Sequence, residues 1–207
     1  MWKSTKALLT NCSYLLATFS LALAVASFNG LHLLAEQILK KYGLKSRNLA
    51  TMNLIEIPVL IVFMVVYGHV YSRIERAKPI LIFNMSALLA LIVLIWACLD
   101  VHSVFLLAFL MVSQVAFAPP SLGLTLQLAA DITFPICKNL LILAEAVSAG
   151  MVFIAEKILS FGLTEGFSPL VDQGKSVPII LILLGCQGVS FICILFVNGK
   201  YCFILDR

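Results

Sequence analysis

The chain has 207 residues, 62% hydrophobic and only 12% charged, with a formal net charge of +4 and a mean hydropathy of +1.08. A water-soluble domain carries roughly a quarter charged residues. This composition cannot cover a water-facing surface, and so small a charge, spread over short polar stretches, excludes nucleic acid as the natural partner. The apolar runs lack the strict alternation of a transmembrane β-barrel. The expected class is all-α: a polytopic, multi-pass integral membrane protein whose first partner is the lipid bilayer.

In chain order, the first apolar run covers about 7–28, after Lys3 and Lys6. Asn29 and Gly30 then interrupt it. That pair either stops the helix or unwinds it so that backbone carbonyls face a ligand. An amphipathic stretch, 31–39, leads into the basic connection with Lys40, Lys41, Lys45 and Arg47. The second span, about 49–71, contains Glu56 and Pro58, and the third, about 79–99, ends at Asp100 and His102. The fourth, about 103–130, is expected to kink or break at Pro119 and Pro120, because proline removes a donor and crowds the preceding turn. The fifth, about 139–161, carries Glu145 and Glu156. A loop rich in Gly, Pro and charge, 162–175, separates it from the sixth, about 178–197.

Residues 1–207 thus read as one six-span transmembrane bundle with both termini on one side. Lys3, Lys6, Arg73, Arg76, Lys78, Lys138, Lys200 and Arg207 stand on that side. Lys40, Lys41, Lys45, Arg47, Lys157 and Lys175 stand on the other. The balance favours cytoplasmic termini, and the first connection runs against it.

Polar groups are costly in hydrocarbon, so those kept inside spans point to a cavity, a hinge or a helix contact. Asn29, Gln114 and Glu145 are the candidates for a substrate pathway. Glu156 reads as nearer the surface, beside Lys157. Pro119, Pro120 and Pro135 mark a hinge at the corner between the fourth and fifth spans. Phe28, Trp96 and Phe117 could supply part of an aromatic cage. The cysteines and histidines show no metal-ligand spacing, so no metal or other cofactor is expected, and Cys98, Cys186 and Cys193 read as packing residues. Nucleophile, Walker and dinucleotide motifs are missing, which argues against an enzyme.

Gly68, Arg73, Arg76 and Lys78 resemble the loop signature of the major facilitator superfamily, with Ser72 at its usual acid and Glu75 at its usual glycine. Gln127, Asp131, Thr133, Phe134 and Pro135 resemble the end of the tenth helix of the feline leukaemia virus subgroup C receptor-related transporters, the haem and choline carriers. Gln127 stands there for an acid and Phe134 for a tyrosine. Phe28, Asn29 and Gly30 with Glu36 and Gln37 are similar to that family's seventh helix.

The resemblance implies helices seven to twelve of a major facilitator fold. It implies alternating-access transport of a small organic solute such as choline, ethanolamine or haem. It also implies a second six-helix bundle or a homodimer as partner, and a cytoplasmic gate in which Asp131 pairs with Arg73 or Arg76 near Gly68. The alternative is a non-transporting membrane scaffold or modulator of a full-length relative.

Overall fold

The computed structural model describes residues 10–41, 46–99, 103–133, 141–173 and 175–197. Among them the chain forms helices α1 (Cys12–Lys41), α2 (Ser46–Ile74), α3 (Ala77–Cys98), α4 (Val104–Val115), α5 (Ala118–Thr133), α6 (Leu141–Asp172) and α7 (Ser176–Phe196). Five spans among the described residues are long and apolar enough to cross a bilayer: Cys12–Leu33, Ala50–Ile74, Ala77–Cys98, Val104–Ile132 and Ser176–Phe196. This is the pattern of a multi-pass helical membrane protein. The fifth expected span lies in α6, which carries Glu156 and Lys157 in its middle and is outside that set.

α1 is the central helix, packed on α6, α7 and α5. The Asn11 side chain caps its start by accepting the Tyr14 N–H at 3.2 Å. Small residues Ala17, Ser20, Ala24 and Ser27 recur along its buried face and let neighbouring helices approach closely. The Ser20 and Ser190 hydroxyls each donate to the other's backbone carbonyl at 2.7 Å, clasping α1 to α7.

α1 runs straight through Asn29 and Gly30. The expected stop or unwinding is absent because Gly30 serves packing instead: a Cβ there would lie 3.6 Å from the Phe167 ring and 3.7 Å from Leu183. α6 likewise continues through the expected loop to Asp172, with Pro169 inside it. Phe167 is buried, and Leu163 and Leu170 pack against the same cluster, so core contacts hold the helix where Gly and Pro suggested a loop.

The fourth span is broken, as its sequence suggests, but one step earlier. The chain leaves helix at Ala116 and Phe117, and Pro119 and Pro120 occupy the first turn of α5, where a missing N–H costs little. Tight bonds from Ala116 N to Ser113 O (3.2 Å) and from Phe117 N to Gln114 O (3.0 Å) close the end of α4.

α2 and α3 are joined by Glu75 and Arg76 alone. Glu75 has a φ of 52°, and its N–H reaches the Tyr71 carbonyl at 2.8 Å, a left-handed helix cap. This is the position where the resembled loop signature carries glycine. Glu75→Gly is expected to raise stability by about 0.5–1 kcal/mol, since the left-handed backbone penalises a Cβ more than glycine's added chain entropy costs. A thermal melt in detergent checks this, and a lower melting temperature refutes it. Lys78, at the start of α3, donates to the Val197 carbonyl at 2.6 Å and so caps the end of α7.

The buried apolar residues form two large layers. One joins Leu31, Met52, Ile95, Met111, Phe167 and Leu183. The other joins Ala17, Ala24, Tyr67, Leu81, Leu128, Val152 and Ile194. Each long helix passes from one layer to the other in alternating direction. The start of α1 and the end of α7 therefore share a layer.

Candidate functional site

The two apolar layers leave a band between them, and several of the bundle's polar groups lie there, Ser27, Gln114, Glu156 and Gln187 buried among them. On α1 it holds Ser27 and Asn29, between Ala24 and Leu31. On α4 it holds Gln114, between Met111 and Ala118. On α6 it holds Glu156 and Ser160, between Val152 and Phe167, and on α7 Gln187, between Leu183 and Ile194.

Glu156 draws two of these groups, Asn29 and Ser160, onto its carboxylate. Its side chain is only 3% exposed. Asn29 Nδ2 donates to Oε1 at 2.9 Å, Ser160 Oγ donates to the same oxygen at 3.0 Å, and Lys157 Nζ stands 3.0 Å from Oε2. An isolated carboxylate in this setting would be expensive, and two neutral donors plus one cation compensate it. Lys157 is itself 74% exposed. Glu156 therefore does not lie at the surface beside Lys157, as the sequence suggests. Consecutive helical residues point about 100° apart, so one side chain enters the core while its neighbour leaves it.

About one turn along α1 from Asn29, His32 Nδ1 lies 3.4 Å from Glu56 Oε1, with both side chains 16% exposed. The Phe28 ring packs on the imidazole at 4.3 Å. This pair links α1 to the otherwise lightly held α2.

A second network sits at the helix break. Tyr67 Oη donates to Asn84 Oδ1 at 2.5 Å. Asn84 Nδ2 donates to Ser121 Oγ at 3.0 Å, and Ser121 Oγ donates to the Phe117 carbonyl at 2.7 Å. Three helices thus meet at Asn84, a fully buried amide. The network also satisfies a carbonyl at the point where α4 gives way to α5.

The candidate residues named from sequence fall out unevenly. Asn29 is brought to the buried carboxylate. Gln114 is 1% exposed, and neither end of its amide has a hydrogen-bond partner among the described residues. A buried amide left unpaired is costly. Gln114→Met, which keeps the volume and removes the polar atoms, is therefore expected to raise stability by about 1 kcal/mol. A melting curve lower than wild type would refute this.

Glu145 lies in the first turns of α6, and its side chain is outside the described residues, as is the whole of Pro135. Gly68 lines an open cleft of about 210 Å³ with Tyr67, Tyr71, Pro120, Gly123 and Gln127. Among the described residues no atom comes within 4 Å of a Cβ built on it. Arg73 and Arg76 are exposed and Asp131 is half-buried at the end of α5. Among the described residues no ion pair joins Asp131 to Arg73 or Arg76. Phe117 meets Phe63 and Phe83, Phe28 meets His32, and Trp96 is 43% exposed, so these rings do not converge on one cage.

Sequence reasoning passed over Asn84 and the His32–Glu56 pair. The signal was a carboxylate, Glu56, and an amide, Asn84, each inside an apolar run.

No family model matches the chain, and no curated protein matches it.

Proposed function

We propose that this chain is one bundle of a membrane carrier that moves a small organic solute by alternating access, working against a second six-helix bundle or a second copy. The observation that carries this reading is the Glu156–Lys157 pair in the middle of α6. A lysine at that depth costs about 2.5–3.5 kcal/mol if it faces lipid, yet Lys157 is 74% exposed. A water-filled path beside α6 removes that cost. It also gives Glu156, held by Asn29 and Ser160, access to a passing cation or proton.

The broken fourth span supports the same reading, because irregular backbone at membrane depth is tolerated where it lines a cavity or hinges one. The gate of Asp131 with Arg73 or Arg76 belongs to this proposal as a contact of another conformation. The likeness to haem and choline carriers makes choline and ethanolamine the first solutes to try.

The test is uptake of labelled choline or ethanolamine into vesicles holding the purified chain, with the oligomeric state measured in detergent. Uptake above protein-free vesicles, from a dimer or larger assembly, is the expected result. A strict monomer without uptake of either solute would turn the reading towards a membrane scaffold.

A further inference from the structure

α2 and α3 are joined by two residues, yet they leave between them a groove of about 500 Å³. Phe63, Val66, Val70 and Ile74 line it from α2 at steps of three or four residues, one face of that helix. Phe83 lines it from α3, and Phe117 from the joint between α4 and α5. The Phe63 and Phe83 rings each lie 6.3 Å from Phe117 and close the inner end. Every lining side chain but Tyr67 is hydrocarbon, and Tyr67 spends its hydroxyl on Asn84. Val66, Ile74 and Phe83 are exposed, so the groove opens to the outside of the bundle. Surfaces left facing a void forfeit their dispersion contacts.

Length and charge say what restores them. The helical rise from Phe63 to Ile74 is about 16 Å, close to the roughly 15 Å depth of one hydrocarbon leaflet. At the outer end, Arg73 stands two turns after Val66 and shares its face of α2. Arg76 stands three residues before Pro79, which also lines the groove. Both arginines are exposed, and among the described residues neither joins an ion pair. Glu75 is the one acid between them, and the first turn of α3 adds none. Lys78 is occupied with the carbonyls at the end of α7. Asp131, at the end of α5, lines no part of the groove. The mouth is therefore cationic and the interior purely apolar.

We infer that the α2–α3 groove binds an anionic phospholipid, with one acyl chain along Val66, Val70 and Phe83 down to Phe117 and the phosphate at Arg73 and Arg76. An arginine next to an anionic headgroup strengthens binding by about fivefold. This site is independent of whether the chain carries a solute.

The test uses phosphatidylcholine vesicles doped with phosphatidylglycerol or phosphatidylcholine bearing a photoactivatable acyl chain, followed by peptide mapping of the full chain. The expected result is labelling concentrated on residues 63–74 and 79–83, with the phosphatidylglycerol probe at least about fivefold above the phosphatidylcholine probe. Arg73→Gln and Arg76→Gln each lower the phosphatidylglycerol labelling by about fivefold, without moving the melting temperature in pure phosphatidylcholine. Val66→Trp fills the groove and removes the labelling by both probes. Even labelling of all exposed apolar helices overturns the site, and equal labelling by the two probes overturns its headgroup. A disulfide that joins two copies through Phe83→Cys in the membrane, and that wild type does not form, makes the occupant a second chain and overturns the lipid assignment.

Discussion

Glu156→Gln is expected to abolish most uptake while leaving the bundle folded. Glutamine keeps the shape of the side chain and one carbonyl oxygen for Asn29 Nδ2 and Ser160 Oγ, which now lie 2.9 and 3.0 Å from the carboxylate. It cannot hold a charge, so the pair with Lys157 is lost. Hydrogen bonds to charged groups are worth about 1.5–3 kcal/mol, which corresponds to about a 10- to 150-fold fall in affinity for a cation or solute that uses the carboxylate. Glu156→Leu goes further. It strands both donors in the core and adds a stability loss of about 1–3 kcal/mol. The two variants therefore separate chemistry from folding. Glutamine lowers uptake far more than it lowers the melt, and leucine lowers both. Normal uptake by the glutamine variant would remove Glu156 from the mechanism.

Asn84→Leu should have the largest effect on stability. The asparagine accepts from Tyr67 and donates to Ser121, tying α2, α3 and α5 together where the fourth span is interrupted. A hydrogen bond between membrane helices averages about 0.6 kcal/mol and reaches about 1.7. The leucine variant also leaves the Tyr67 hydroxyl and Ser121 short of partners, so the total loss should be about 2–3 kcal/mol. A double-mutant cycle with Tyr67→Phe isolates one arm, and its coupling energy should fall at about 0.6–1.7 kcal/mol. A coupling energy indistinguishable from zero would mean that the Tyr67 arm adds nothing. α2 would then be held at this end by apolar contact alone.

Composition and run length carried the helical membrane class, since apolar stretches of bilayer length are hard to explain otherwise. The interruption of the fourth span was also legible, although its position was displaced because proline is tolerated in a first helical turn. Stops were read less well. Asn29 with Gly30, and Gly162 through Pro169, carry the turn chemistry of water-exposed chain ends. Against lipid, a broken backbone has no water to turn to, and packing at Gly30 and Phe167 keeps both stretches helical. The site was half legible. Asn29 was singled out as a costly amide, whereas its partner was assigned to the surface because the adjacent Lys157 suggested an interface. A linear reading cannot tell which of two neighbouring charges faces inward. That depends on which face of α6 meets α1, a property of the assembled bundle.

The Ser20–Ser190 clasp limits how this bundle can rearrange. Because each hydroxyl grips the opposite main chain, sliding α1 along α7 by even one residue would sever both bonds together. The two helices should therefore travel as a single rigid strut. Any change of shape must then be absorbed by the Ala116–Phe117 joint and by α2, the two places where the fold has slack.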